Sequence, residues 1–236
     1  MMISFLEILP IVGLIVGLYF LARPPRWWQK IQKLKFENKF GRVARSDEHL
    51  NNVVHVGRRI EIATGVKSGP SKFAILESKE VNAFADESGA IFVTQGMLLL
   101  VGDDEHSLAA ILAHELAHII AGHHEIQKHD KMKFMLLGHL FSVGGWITRL
   151  VGSFMVKAGA ARYSQDQELE ADRLAVSYLS LAGYDPYAMS RVLARLNEVF
   201  KSEGHTNNPL TELLSSHPEA VERIAASNAE AGNLSR

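Results

Sequence analysis

His114-Glu115-Leu116-Ala117-His118 constrains this chain more than any other stretch, because its chemistry works only if the segment is helical. Residues four apart on an α-helix lie one above the other on one face. Both imidazoles then point the same way, as a tetrahedral zinc requires of two nitrogen ligands. Glu115 projects beside them, placed to take a proton from water that the metal activates. The flanks agree with a helix: Asp103 can cap its start, and it stops near Gly122.

Two imidazoles alone hold zinc weakly, so a third protein ligand is expected downstream. Glu168-Leu169-Glu170-Ala171-Asp172 offers it. On a helix Glu168 and Asp172 share a face, while Glu170 lies about 200° around from Glu168. The useful arrangement has Glu168 as third ligand. Asp172 then accepts a hydrogen bond from the free ring N–H of a ligating histidine and fixes its orientation. The fourth zinc position stays open for water, which marks a catalytic site rather than a structural one. Taken alone, these acids would read as a solvated helix face. His123, His124 and His129 fall at or beyond Gly122, off the helical register, and read as exposed or capping histidines. The chain has no cysteine, so disulfides and thiolate zinc sites are excluded and a metal must use histidine, carboxylate and water.

The N-terminus differs in kind. Ile3–Ala22 is apolar except for Ser4, Glu7 and Pro10, long enough to cross a bilayer as a helix. Arg23, Arg26, Trp27, Trp28, Lys30, Lys33 and Lys35 follow, a belt and a basic flank that point to a single-pass anchor over residues 1–23 with the cytoplasm on the flank side. No basic residue precedes the run and no small-x-small site follows, which disfavours a cleaved signal peptide. Residues 24–45 read as a basic juxtamembrane linker or helix, 46–226 as the main domain and 227–236 as a flexible tail. A net charge of −1 gives no sign of a nucleic-acid partner, and 47% hydrophobic residues can furnish a core.

Within the main domain, Ser46–Ala63 has amphipathic helical spacing. Lys72–Leu76, Val81–Ala85 and Ala90–Thr94 read as strands, the last two joined by a turn at Asp86–Gly89. Residues 131–160 are apolar and Gly-dotted but carry His139, Arg149 and Lys157, and read as a helical insertion or active-site cover rather than a second span. Gln165–Leu181 resumes helical spacing, Pro186 opens a helix to about Phe200, and Pro218 opens a last one reaching Ala226. The expected class is α+β, mainly helical, with a small antiparallel sheet and one preceding transmembrane helix.

In this order the elements resemble the HtpX and CAAX-prenyl-protease type family of zinc metallopeptidases, which are gluzincins, and most of all its short BepA-like branch. Asn82-Ala83-Phe84-Ala85 and Gly89–Thr94 resemble the family's paired strands. His114–His118 and Glu168–Asp172 match its two zinc motifs, and Ser216-His217-Pro218 with Arg223 matches its terminal His-Pro…Arg element. One departure is visible: Gln165 follows Ser164 where similar proteins often have arginine. The resemblance implies a zincin-like domain with one Zn(2+) per subunit. It implies that His217 lies near the metal, stabilising the transition state or binding zinc in a resting form, and that Arg223 helps to organise the site. By residue type alone His217 would be a helix cap and Arg223 a solvated charge.

The expected reaction is hydrolysis of internal peptide bonds in misfolded or membrane-associated proteins, at a membrane that the resemblance makes a bacterial inner membrane. Glu115 acts as general base and then returns a proton to the leaving amine. Ala90, Ile91, Phe92, Val93 and Thr94 are expected to be an edge strand to which an extended substrate adds. The rival is a membrane-anchored binding or chaperone-like quality-control factor with a latent zinc site. A prenyl-protein protease is disfavoured, since such enzymes resemble multi-span proteins.

Overall fold

Short polar caps and left-handed glycines set most of the observed boundaries. The computed structural model describes residues 26–44, 48–65, 72–86, 88–126, 165–203 and 220–234. The chain divides into two units, Met1–Val43 and Ala44–Arg236. In the smaller unit the basic segment forms helix α1 (Arg26–Phe40), followed by the two-residue strand β1 (Arg42–Val43). Lys33 pairs with Glu37 one turn on, and Phe36 and Phe40 pack with ring centroids 5.2 Å apart. The expected membrane anchor lies outside the described residues, as does the 131–160 insertion. Among the described residues no helix is long and apolar enough to cross a membrane.

In the larger unit, α2 (Leu50–Thr64) ends at Gly65, whose φ of +65° is the left-handed turn that glycine adopts at no steric cost. Strands β2 (Lys72–Glu77), β3 (Ala83–Ala85) and β4 (Ala90–Thr94) follow. Asp86 ties the turn between β3 and β4 by accepting hydrogen bonds from Ser88 and Ala90 backbone N–H groups, each at 2.9 Å. Thr94 caps α3 (Gln95–Val101) by accepting from Met97 N–H. The helix carrying the histidine pair is α4 (Glu105–Ile120). Its cap is Asp104, not Asp103: the Asp104 carboxylate accepts from the amides of His106 and Ser107.

The sheet is mixed rather than antiparallel. β4 runs parallel to β2, with Lys72 opposite Ala90 and Leu76 opposite Thr94, and antiparallel to β3, with Phe84 opposite Phe92. The parallel pair arises because β2 and β4 are joined by a chain that includes β3, not by a hairpin. β4 therefore lies between β2 and β3, and the expectation that Ala90–Thr94 is an edge strand fails. Both of its hydrogen-bonding sides are taken. The edge is β3.

Behind the sheet, α4 packs against α2, α5 (Gln165–Leu181) and α6 (Ala188–Glu203), and α7 (Ala220–Leu234) packs on α5 and α6. The core is built from small and branched residues, among them Val53, Ile60, Ile91, Leu112, Leu116, Ala171, Ala175 and Leu179. α7 continues well past Ala226. Ser227 and Ala231 are fully buried, so the tail expected from residue 227 is largely helix.

Candidate metal centre

Two helices bring the expected ligands together. α4 has an almost fully buried run from Ser107 to His118, because it is walled by α2 and α5 as well as by the sheet. α5 faces it with Glu168 and Asp172, one turn apart and both fully buried. His114 Nε2 and His118 Nε2 are 3.0 Å apart. Glu168 reaches them with Oε2 at 3.5 Å from His114 Nε2 and Oε1 at 3.3 Å from His118 Nε2. These three residues form a buried group able to hold one metal ion.

The spacing fits zinc. Bonds of about 2.0–2.1 Å at tetrahedral angles set ligand atoms about 3.3 Å apart. Charge fits as well. Glu115, Glu168 and Asp172 bring three buried carboxyl groups against the one guanidinium of Arg223, an excess of acidic groups that a divalent cation would offset. Unpaired buried charge is costly, so the arrangement favours a bound dication. The His114 imidazole reports the same field. Burial pulls its pKa down, but hydrogen bonds and charge from Asp172 and Glu168 outweigh this and push it up to about 10.

Around the three candidate ligands the remaining groups are tightly linked. His114 Nδ1 lies 2.9 Å from Asp172 Oδ1. Arg223, from α7, donates through Nε to Asp172 Oδ2 at 2.6 Å and through Nη2 to Oδ1 at 2.8 Å. Its Nη1 lies 2.9 Å from Glu168 Oε2. The fork of the guanidinium thus clamps two carboxylates at once. Burial works against the Asp172 charge, but the bonds from Arg223 and His114 hold its carboxyl below the usual range. By residue type alone Arg223 reads as a solvated charge, and the resemblance makes it a site residue; it lies buried in this ion-pair network beside the candidate ligands. Gln165, at the start of α5, bonds to Glu222 beside it.

Glu115 is buried, and Ala85 N–H of β3 donates to its Oε2 at 3.0 Å. The catalytic-site helix and the sheet edge therefore meet at this carboxylate. Asp86 N–H donates to Ala90 C=O and Thr94 N–H to Asn82 C=O, which makes these hydrogen-bonded pairs of the β3–β4 ladder. Alternation then directs the amides and carbonyls of Ala83 and Ala85 away from β4, toward the Glu115 side.

One expectation changes here. His123 is not exposed: it is buried, with Nδ1 2.9 Å from His118 Nδ1 and Nε2 3.4 Å from Glu170 Oε2. Glu170 does point away from the ligand cluster, as the helical angle requires, but toward His123. The signal was Gly122, whose φ of +70° turns the chain back under α4 instead of carrying it onward. His217 and His129 lie outside the described residues.

Comparison with known proteins agrees with this geometry. The profile of Peptidase family M48 matches residues 48–231. The Beta-barrel assembly-enhancing protease of Escherichia coli K12 is 27% identical over 188 residues, covering 75% of this chain and 37% of that protein. The Mitochondrial metalloendopeptidase OMA1 of Schizosaccharomyces pombe is 28% identical over 174 residues, covering 73% of this chain and 50% of its own length. Metalloprotease LoiP of Escherichia coli K12 is 26% identical over 169 residues, covering 69% and 63%. The chain thus spans well under half the length of the first of these relatives. The family profile takes in strands β2 to β4, both histidine and glutamate motifs and the arginine clamp, and the chain belongs to peptidase family M48, a family of zinc metallopeptidases.

Proposed function

We propose that this chain is a zinc-dependent endopeptidase that cleaves extended segments of misfolded or membrane-associated proteins. The observation that carries the reading is the convergence of His114, His118 and Glu168 beside the Glu115 carboxylate at a sheet edge. When bound by these three residues, zinc supplies Lewis acidity that makes a water nucleophilic near neutral pH and polarises an amide carbonyl. Glu115 takes the proton from the attacking water and delivers one to the departing amine. Its carboxylate is fixed for this by the Ala85 N–H. Asp172 holds the His114 ring, and Arg223 fixes Asp172 and Glu168 against each other. His217, by the resemblance, stabilises the developing negative charge.

The substrate strand docks on β3 instead of β4. The outward backbone groups of Ala83 and the outward carbonyl of Ala85 can take an extended peptide by main-chain hydrogen bonds, which tolerate many sequences, while the Ala85 N–H stays on Glu115. Such tolerance suits unfolded segments. The quality-control reading draws on the relative named for enhancing β-barrel assembly. The apolar run Ile3–Ala22, read as an anchor in a bacterial inner membrane, would bring the site to such substrates.

The test uses zinc-loaded protein and a set of unfolded peptides that differ only in N-methylation of backbone amides flanking the cleaved bond. Methylation at an amide that pairs with β3 is expected to lower kcat/KM by about tenfold or more, the worth of one or more lost hydrogen bonds. Equal cleavage of every methylated peptide would remove the β3 docking model. No cleavage of any peptide or unfolded protein would favour a binding role instead.

A further inference from the structure

We propose that His123 is the positioning residue of His118, accepting the Nδ1 proton of that ring so that its Nε2 is presented to the metal. The proposal deepens the zinc-site reading and rests on it. A neutral imidazole that ligates through one nitrogen must carry its proton on the other. His118 Nε2 faces His114 Nε2 at 3.0 Å and Glu168 Oε1 at 3.3 Å, so it is the ligating nitrogen. Its Nδ1 faces His123 Nδ1 at 2.9 Å.

Two ring nitrogens at that distance share one proton. Ligation assigns it to His118, which makes His123 Nδ1 the acceptor. His123 must then hold its own proton on Nε2, and the neighbour there is an acceptor, Glu170 Oε2, at 3.4 Å. The tautomers agree along the whole chain from metal to surface. His123 is fully buried, with its ring edge-on to that of His118 at a centroid distance of 5.0 Å, so solvent cannot substitute for it.

The two histidine ligands are therefore held differently. His114 is oriented by the charged carboxylate of Asp172, itself clamped by Arg223. His118 is oriented by a neutral ring whose far side is tied to Glu170, 60% exposed on the surface of α5. Gly122 makes the second arrangement possible, because a helix continuing past Ala121 would swing residue 123 away from His118.

The experiment measures zinc affinity by competition with a chelator for wild type, His123→Leu and His123→Asn, together with the melting temperature of each metal-stripped protein. Leucine nearly conserves the volume but accepts no hydrogen bond. Asparagine places an amide oxygen close to the site of the lost Nδ1. His123→Leu is expected to lose about 10–100-fold in affinity and His123→Asn to stay within about threefold of wild type, the range typical of groups that orient metal ligands. An unaffected His123→Leu, or an Asn variant that loses as much as Leu, overturns the proposal.

Should the leucine variant fail to fold, long-range 1H–15N spectra of zinc-loaded wild type decide. The expected pattern is His118 protonated at Nδ1 and His123 at Nε2. A His123 ring protonated at Nδ1 overturns the proposal. Failure of the wild type itself to bind zinc overturns the metal-centre reading, and this proposal with it. Tight wild-type binding with an indifferent His123→Leu overturns this proposal alone.

Discussion

Glu115→Gln is expected to lower kcat for peptide hydrolysis by about two to four orders of magnitude while zinc binding stays at wild-type strength, the range typical when a positioned general base is lost. The argument is one of geometry. Glu115 lies in the same helical turns as His114 and His118 but is not among the three residues whose ligand atoms converge. Its Oε2 instead receives the Ala85 N–H of the sheet edge. Glutamine keeps the size and an oxygen for that bond but cannot accept the proton of the attacking water. Metal content and melting temperature should therefore change little. Retained hydrolysis would remove Glu115 from the mechanism, and a parallel loss of zinc would recast it as a structural support.

The second large effect concerns stability. Arg223→Met is expected to lower the melting temperature of the metal-stripped protein by about 10 °C, from a cost of about 3–5 kcal/mol for stranding buried charge in a domain of this size. Arg223 is the guanidinium that bonds Asp172 through two nitrogens and lies 2.9 Å from Glu168, with all three side chains buried. Burial works against its charge, but Asp172, Glu168 and Glu115 outweigh this and hold the guanidinium charged more firmly than usual. Methionine fills much of the volume and leaves the carboxylates facing each other. Lysine restores the charge but not the fork, so Arg223→Lys should fall between wild type and Arg223→Met. Thermal melts followed by circular dichroism read the series. A fall of less than about 2 °C in Arg223→Met, under 1 kcal/mol on the same scale, would show that the clamp is not what holds α7 to α5.

Local chemistry was legible where one helix carries it. The register of His114 and His118, the shared face of Glu168 and Asp172, and the divergence of Glu170 all follow from 3.6 residues per turn. What the helical period cannot see is a change of direction. His123 falls off-register when the helical period is extended past Gly122, yet the left-handed glycine folds the chain under its own helix. Strand order was hidden for a related reason. Spacing identified Lys72, Ala83 and Ala90 as lying in strands, but which neighbour each short strand takes depends on the long-range fold, and β4 proved central.

Composition conceals the end of α7. Ser227, Asn228, Glu230 and Asn233 look like a solvated tail, whereas the face holding Ser227 and Ala231 packs inward through small side chains that hydrophobic patterning underweights. Arg223 shows the converse limit. Its type resembles a surface charge; the His-Pro…Arg resemblance points to the site, and its position on α7 opposite α5 reveals the carboxylates that balance it.

The most direct measurement is a zinc titration of chelator-stripped protein with hydrolysis of an unfolded peptide as the readout. Activity should be absent in the stripped protein, rise linearly with added zinc and level off at one equivalent per chain, because His114, His118 and Glu168 form the one such group among the described residues. Full hydrolysis by the stripped protein would contradict a zinc-dependent peptidase centred on these residues.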